Sequence, residues 1–194
     1  MRLEWSKCSK IDINSVGIIG LGYVGLPLAL TYVEADVKVI GFDIDDDKIR
    51  TLLTHKKDYI KHISDERVQA SVEKGLLDVT GDFSRISEVD AIVLCLPTPL
   101  NQYREPNLTF VTSTMERILP FFKKGQVLSL ESTTYPGTTE EVLKPKIEAQ
   151  GFTIGEDFYL VYSPEREDPG NPEFTTHTIR KLLGGLQRHV WKSE

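Results

Sequence analysis

Several apolar runs end in polar or charged residues whose types could do chemistry. The loops concerned are residues 20–25, 96–99, 131–134 and 163–166. They supply closely spaced glycines, hydroxyl groups and carboxylates, which suit the binding of an anion and the handling of a proton. Each loop by itself is compatible with an ordinary connection. Because all four follow apolar runs of strand length, we expect them to meet at one site.

The segment GLGYVG has the glycine spacing of a dinucleotide-binding loop. An apolar strand-like run precedes it and an apolar helix-like run follows. In such a loop Gly20 permits a tight turn, Gly22 lets the backbone approach a pyrophosphate, and Gly25 lets the helix lie close to the sheet. The N–H groups near Tyr23 and Val24 then face the anion. The alternative is a glycine-rich turn in another kind of α/β protein.

An acidic residue, Asp43, ends the next apolar run about 20 residues after the loop, where dinucleotide-binding folds place one. A carboxylate there accepts hydrogen bonds from the adenosine ribose and repels a 2′-phosphate. Asp45, Asp46 and Asp47 add negative charge nearby. These residues predict NAD as the cofactor in preference to NADP. The alternative role, capping of the next helix, suits Asp45 or Asp46 better than Asp43.

The later loops each allow two interpretations. Thr98, together with Pro99, would form a wall against the nicotinamide half of the cofactor, or would simply end a strand. Thr133 would present its hydroxyl to a water or a substrate alkoxide, or would cap the following helix. Glu165 would act as a general base or orient a water, or would form a surface ion pair with Arg166. The residues alone leave these alternatives open.

Apolar runs that alternate with amphipathic stretches predict the framework that positions these loops. The predicted fold class is α/β, of Rossmann type, with a doubly wound, mainly parallel sheet and helices on both faces. The predicted strands are 16–19, 37–42, 77–79, 91–96, 127–130, 158–162 and 179–183, the last broken by Gly184 and Gly185. The predicted helices are 24–35, 46–53, 64–75, 108–122 and 137–150, with Pro145 as a kink or early stop. Residues 1–15 are expected to be an N-terminal extension, 16–185 the domain and 186–194 a polar tail.

Composition narrows the classes of function. The 194 residues are 40% hydrophobic and 27% charged, as in a globular domain with its own core. A net charge of −6 argues against a nucleic-acid partner or an anionic membrane surface. Cys8, Cys95 and the four histidines have no metal-ligand spacing, and Cys95 is expected to be a buried small hydrophobe. Without a membrane-spanning run or apolar leader, we expect a cytoplasmic protein.

Four motifs, in this order along the chain, resemble those of the UDP-glucose/GDP-mannose dehydrogenase family. They read VGIIGLGYVGLPLA from Val16, CLPTPL from Cys95, ESTTYPGTTEE from Glu131 and SPERE from Ser163. The likeness covers residues 16–185. The stretches PTPLNQYREPNL, SPEREDPGN and FTTHTI are most similar to the UDP-N-acetylglucosamine 6-dehydrogenase branch.

The resemblance implies an oxidoreductase of polysaccharide biosynthesis that oxidises the C6 alcohol of a nucleotide sugar, a UDP-N-acetylhexosamine, to a uronate. Such enzymes reduce two NAD+ and pass through an aldehyde and a cysteine thioester, and they are homo-oligomers. The resemblance implies that Thr98 and Thr133 lie near the nicotinamide and the reactive carbon, and that Glu165 handles the catalytic water. The implied cofactor contacts are Gly20, Gly22, Gly25 and Asp43.

The chain departs from the family pattern at two positions and in one larger respect. Pro169 stands where the glucose enzymes have a second glutamate, and Arg180 stands where a proline is expected. The 194 residues contain no Gly-Gly-x-Cys segment, and we expect the family's central and C-terminal domains to be absent. Because no thioester forms without the thiolate, this chain alone is expected to bind NAD without completing the oxidation.

Two other classes of function are compatible with the same residues. One is a non-enzymatic NAD-binding or interaction module derived from this family, which would associate with a full-length paralogue. The other is a different Rossmann enzyme, such as a β-hydroxyacid dehydrogenase. That class needs a lysine-bearing catalytic helix in a second domain, and the SPER segment argues against it.

Overall fold

The computed structural model describes residues 13–55, 60, 63–163 and 184–185. These residues form a seven-stranded sheet with the order β3-β2-β1-β4-β5-β6-β7. The strands are β1 (Ser15–Ile19), β2 (Lys38–Phe42), β3 (Leu77–Thr80), β4 (Ala91–Leu94), β5 (Val127–Leu130), β6 (Tyr159–Tyr162) and β7 (Gly184–Gly185). Strands β1 to β6 are parallel, and β7 pairs antiparallel with β6.

Helices connect the parallel strands. They are α1 (Gly25–Glu34), α2 (Asp46–Arg50), α3 (Asp65–Glu73), α4 (Thr109–Ile118) and α5 (Lys144–Glu148). Thr51–His55 and Thr138–Leu143 are π-helical turns, and Phe83–Glu88 and Leu119–Phe121 are 3-10 turns. Local chemistry explains several of the ends: the Ser64 side chain accepts a hydrogen bond from the Arg67 amide at the start of α3, and Gly75 lies just beyond its end at φ +71°.

The core has two layers, one on each face of the sheet. Alternate residues of the strands point to opposite faces, so Ile18 belongs to one layer and Ile19 to the other. The first layer is completed by α1 and α3, and the second by α4 and α5. The prediction of a doubly wound, mainly parallel α/β sheet with helices on both faces is therefore confirmed.

The structure corrects the predicted elements in four places. Residues Gly184–Gly185 do not break a strand but form β7, because two glycines can still donate and accept ladder hydrogen bonds. Strand β4 ends at Leu94, two residues early. Pro145 lies in the first turn of α5, directly after the π-helical turn Thr138–Leu143, so the chain changes its helical form there but does not stop being helical. Strand β1 begins at Ser15, inside the predicted extension. The predicted strand 179–183 and tail 186–194 lie outside the described residues.

Candidate functional site

A cavity of about 710 Å³ opens at the carboxyl ends of β1, β2, β4 and β5. Its walls come from the glycine loop, from the residues that follow the other three strands, and from one face of α4. The chain runs outward in one direction from β1 and in the other from β4, and these two strands are neighbours. A crevice at such a switch point is where open α/β sheets bind ligands.

The glycine loop lines this cavity, and its three glycines have different surroundings. Gly20 has φ +91°, and a Cβ atom there would overlap the carbonyl oxygen of Cys95. A Cβ at Gly25 would overlap the carbonyl oxygen of Gly20. A Cβ at Gly22 would meet nothing within 4 Å. The fold itself therefore requires Gly20 and Gly25, whereas Gly22 leaves an open cradle beside the backbone, of the kind a pyrophosphate needs.

The start of α1 offers hydrogen-bond donors to the same cradle. The Leu26 amide makes the first helical bond, to the Gly22 carbonyl at 3.1 Å, so the amides of Tyr23 and Val24 precede the helical ladder. Val24 occupies the N-cap position, and no side chain caps the helix there. Both residues line the cavity, where the positive end of the helix favours an anion.

Asp43 is a buried carboxylate in the cavity wall, with only 6% of its surface exposed. One carboxylate oxygen accepts from the Leu21 amide at 2.9 Å, and the other accepts from the Asp45 amide at 3.1 Å. The Lys48 ammonium lies 3.4 Å from the first oxygen. Among the described residues the second oxygen accepts one bond, from the Asp45 amide, which leaves it an acceptor direction that suits a ribose hydroxyl. The helix cap at this point is Asp45, whose side chain accepts from the amides of Asp47 and Lys48.

The segments that follow β4 and β5 are tied together across the opposite wall. The Leu96 amide donates to the Ser132 hydroxyl at 2.9 Å, and the Thr98 hydroxyl donates to the Thr133 carbonyl at 2.7 Å. The π-helical turn that follows has Gly137 at its N-cap and no side-chain cap, so Thr133 does not cap it. The structure thus brings Thr98 and Thr133 side by side on the cavity wall, where Thr133 is exposed and Thr98 is half-buried.

Sequence reasoning missed Glu131, which lines the same wall and is buried. It accepts hydrogen bonds from the hydroxyls of Ser129 and Ser163, both at 3.1 Å. It therefore links the end of β5 to the residue that follows β6. A carboxylate directly after a buried strand was the available signal. Glu165, with Arg166, Pro169 and Arg180, lies outside the described residues.

A face of α4 is the second part of the site that sequence reasoning missed. Residues spaced three and four apart along this helix line the cavity: Phe110, Ser113, Thr114 and Arg117. The buried face of α4 consists of Val111, Met115 and Ile118. Two interleaved helical stripes, one apolar and one mixed, were the signal in the sequence.

Cys95 differs from its prediction as a buried hydrophobe. Because β4 ends at Leu94, Cys95 lies beyond the strand, is partly exposed and lines the cavity. Its amide donates to the Ile19 carbonyl at 2.9 Å. Among the described residues, no group of three or more histidine, cysteine, aspartate or glutamate side chains could hold a metal ion. No helix in the described ranges is long and apolar enough to cross a membrane.

Known proteins share this sequence and this fold. Residues 14–192 match the UDP-glucose/GDP-mannose dehydrogenase family, NAD binding domain. The chain is 35% identical over 181 residues to the UDP-N-acetyl-D-glucosamine 6-dehydrogenase of Salmonella typhi, and the matched stretch covers 93% of this chain and 41% of that protein. It is 35% identical over 171 residues to the enzyme of the same name from Pseudomonas aeruginosa, with 88% and 39% covered.

Solved structures agree with the sequence relatives. The UDP-N-acetyl-mannosamine dehydrogenase of Staphylococcus aureus superposes with a TM-score of 0.80 at 34% identity, covering 89% of this chain and 42% of that one. The chain thus spans about two fifths of the length of the relatives it matches. This chain belongs to the UDP-glucose/GDP-mannose dehydrogenase family of NAD-dependent nucleotide-sugar dehydrogenases and corresponds to the family's NAD-binding domain.

Proposed function

We propose that this chain supplies the NAD-binding part of a dehydrogenase that oxidises the C6 alcohol of a UDP-N-acetylhexosamine to the uronate. The single observation that carries the proposal is the pairing of an open cradle at Gly22 with the buried carboxylate of Asp43 in one cavity. The substrate class is supported by relatives that are named as dehydrogenases of UDP-N-acetyl-D-glucosamine and UDP-N-acetyl-D-mannosamine.

The proposed roles follow the order of the cavity wall. NAD+, when bound, supplies the hydride acceptor. The backbone beside Gly22 and the amides of Tyr23 and Val24 would hold its pyrophosphate. Asp43 would accept from the adenosine ribose. The hydrogen-bonded pair of segments at Thr98 and Thr133 would hold the nicotinamide against the reacting carbon, and Glu165 would orient the water that hydrolyses the thioester.

We also propose that a polypeptide of these 194 residues, by itself, binds NAD+ without completing the oxidation. The two-step reaction of this family needs a cysteine thiolate, and neither cysteine here lies in a Gly-Gly-x-Cys segment. Cys95 lies next to the glycine loop, where a Cβ on Gly25 would come within 3.2 Å of it, at the floor of the cofactor cradle. That position suits a packing role better than attack on a sugar.

Cofactor binding is tested by thermal unfolding of the purified chain with NAD+ or NADP+. At 100 times its dissociation constant a ligand stabilises a formed site by about 2.7 kcal/mol, which for this size raises the midpoint by about 5–11 °C. We expect this rise with NAD+ and not with NADP+. An equal rise with both nucleotides would contradict the role of Asp43, and no rise with either would contradict the proposed function.

A matched pair of variants assigns the selectivity. Asp43→Asn removes the charge that repels a 2′-phosphate, so we expect a smaller rise with NAD+ and a loss of discrimination against NADP+. The control Asp36→Asn removes one surface carboxylate outside the cavity. Native Asp36 pairs with Lys74 and has φ +63°, a conformation that asparagine tolerates. This control should keep the native response to both nucleotides.

The incomplete reaction is tested by following NADH absorbance with UDP-N-acetylglucosamine and UDP-N-acetylmannosamine. We expect no turnover by the 194-residue polypeptide. Formation of two NADH per sugar would contradict the proposal that these residues alone are inactive, while leaving the proposal of NAD binding intact.

A further inference from the structure

Arg117 is a cation in the cavity wall that has no carboxylate partner within the described part of the chain. It projects from the cavity-facing stripe of α4, and its guanidinium carbon lies 4.2 Å from the centre of the Phe83 ring. Its neighbour Glu116 pairs instead with Lys146, at 3.0 Å. Phe83 is only 5% exposed and belongs to the core, so its ring is packed in place. One face of the guanidinium is therefore held against an aromatic ring, and no ion pair directs the group elsewhere.

Contacts between rings place Arg117 at the ribose end of the cavity. The rings of Phe83 and Phe42 lie 5.7 Å apart, and Phe42 immediately precedes Asp43. All four residues line the cavity. Thr133, at the other end of the proposed cofactor, belongs to the wall that follows β5. Arg117 thus lies over the side of the cavity where the adenosine half of a dinucleotide would extend beyond Asp43.

The chemistry of this corner suits a flat, apolar and electron-rich ring. The exposed Ile44 follows Asp43, and Leu96 and Thr114 line the same cavity. A guanidinium is planar and stacks on aromatic faces. Arg117 is exposed and lines the cavity, so a second ring can reach the face away from Phe83. We propose that Arg117 binds the adenine of NAD by stacking, as the middle layer of a Phe83–Arg117–adenine stack. This inference rests on the proposed NAD binding.

Electrostatics distinguish stacking from the other use of an arginine at this site, the binding of a 2′-phosphate. Asp43 lines the ribose end, and Asp45, Asp46 and Asp47 follow it closely in the chain; this negative charge opposes a phosphate there. Packing against Phe83 also presents the flat face of the guanidinium, whereas a phosphate is bound along its N–H edge. A stacking role predicts that the contact depends on the planar group and not on charge alone.

The test is calorimetric titration of the 194-residue chain with NAD+, ADP-ribose and NADP+. Arg117→Met keeps an unbranched side chain over Phe83 but removes the planar cation. We expect this variant to lower the affinity for NAD+ and for ADP-ribose by the same factor, about 3- to 30-fold. Arg117→Lys, which keeps the charge without the plane, should stay weakened. The control Lys124→Met removes a positive charge just before β5, at the amino end of that strand and away from the cavity, and should bind NAD+ like the native chain.

Each remaining outcome overturns the inference. Native affinity of Arg117→Met, with an unchanged unfolding midpoint, would show that the side chain does not contact the nucleotide. If the variant bound NAD+ more weakly but kept native affinity for ADP-ribose, Arg117 would lie at the nicotinamide half. Weakening confined to NADP+, or full recovery by Arg117→Lys, would assign it to phosphate binding. Failure of the native chain to bind NAD+ would overturn the proposed function itself. The native chain thus tests NAD binding, and the variants test the role of Arg117.

Discussion

At the scale of single residues, the glycine loop separates what the fold needs from what a ligand needs. Gly25 is enclosed, since a side chain there would overlap the Gly20 carbonyl, whereas Gly22 faces open space. The two positions have the same residue type and lie three apart in one motif. They nevertheless predict opposite consequences for the same substitution, to alanine.

Gly25→Ala is expected to lower the free energy of unfolding, because the extra methyl must displace backbone; overpacking of this kind costs about 1–3 kcal/mol. Gly22→Ala is expected to change stability by no more than about 0.5 kcal/mol, while it weakens NAD+ by filling the cradle. Thermal unfolding and NAD+ titration of both variants measure the two effects. A Gly22→Ala chain with native NAD+ affinity would contradict the assignment of the cradle to the pyrophosphate.

The sequence predicted the residues whose roles depend on neighbours in the chain. The glycine spacing and the position of Asp43 are local patterns, and they identified one wall of the cavity. Glu131 and Arg117 escaped because their partners are distant: Ser163 lies 32 positions from Glu131, and Phe83 belongs to a different element from Arg117. Contacts of that kind depend on how the strands are ordered in the sheet, which no local spacing encodes.

At the scale of elements, one buried side chain anchors the turn that carries Phe83. Gln126 is 0% exposed, and its amide nitrogen donates to the carbonyls of Ile86 and Val89 at 2.9 and 2.8 Å. Its amide oxygen accepts from the Lys123 backbone at 2.8 Å. The start of β5 and the 3-10 turn Phe83–Glu88 are thereby fastened together.

Gln126→Leu, of similar size, would leave those three backbone groups without their partner. We expect it to lower the free energy of unfolding by about 3 kcal/mol or more, since each buried unpaired polar group costs about 1–3 kcal/mol. Gln69→Leu is the matched control, because Gln69 is exposed and bonds only Glu73 on the same helix. Denaturant unfolding compares the two, and equal losses would contradict the anchoring role.

The beginning of β1 depends on another carboxylate, that of Asp90. Burial, the largest influence, favours its neutral form, but hydrogen bonds from Asn14 and Ser15 and the charge of Lys123 outweigh burial and lower the pKa of Asp90. A lowered folded-state pKa means that the ionised group stabilises the fold. That stabilisation is fully present above the ordinary aspartate pKa of about 3.9 and is lost as the pH falls through the lowered value.

Asp90→Asn is therefore expected to unfold at a lower temperature than the native chain at pH 7, by about 2–8 °C for a loss of about 1–2 kcal/mol. The difference in midpoint should shrink as the pH is brought below about 4, because the native carboxylate then takes up its proton. Calorimetric scans from pH 3 to pH 7 measure this; a difference that stays constant with pH would contradict the ionic role.

Element types followed from hydrophobic periodicity, but three details did not. The end of β4 at Leu94 and the β7 pairing at Gly184–Gly185 are set by partner strands. The π-helical form of Thr138–Leu143 could not be predicted, because six residues are little more than one turn and are too few to show a period. Such details moved Cys95 from a predicted strand interior to the cavity wall.

At the scale of the whole molecule, two contiguous halves of the chain meet along a single ladder. Strands β1 to β3 come from residues 15–80 and β4 to β6 from residues 91–162, and β1 pairs with β4 between them. The α/β class and the mainly parallel sheet were predictable, since apolar runs alternate with helical stretches. The cavity draws its lining from both halves, and therefore only the strand order reveals which residues share it.

A nucleotide bound at the junction of the two halves would also stabilise the fold against local opening. The Cys95 amide donates to the Ile19 carbonyl across this junction, so its proton lies on the floor of the site, whereas the Gly125 and Gly155 amides bond near the amino ends of the strands, away from the site. A ligand that touches both halves must leave before they part, and each opening then costs the binding free energy as well. Hydrogen–deuterium exchange at Cys95 should slow steeply with NAD+ concentration, while exchange at Gly125 and Gly155 should slow only where it requires the whole molecule to unfold.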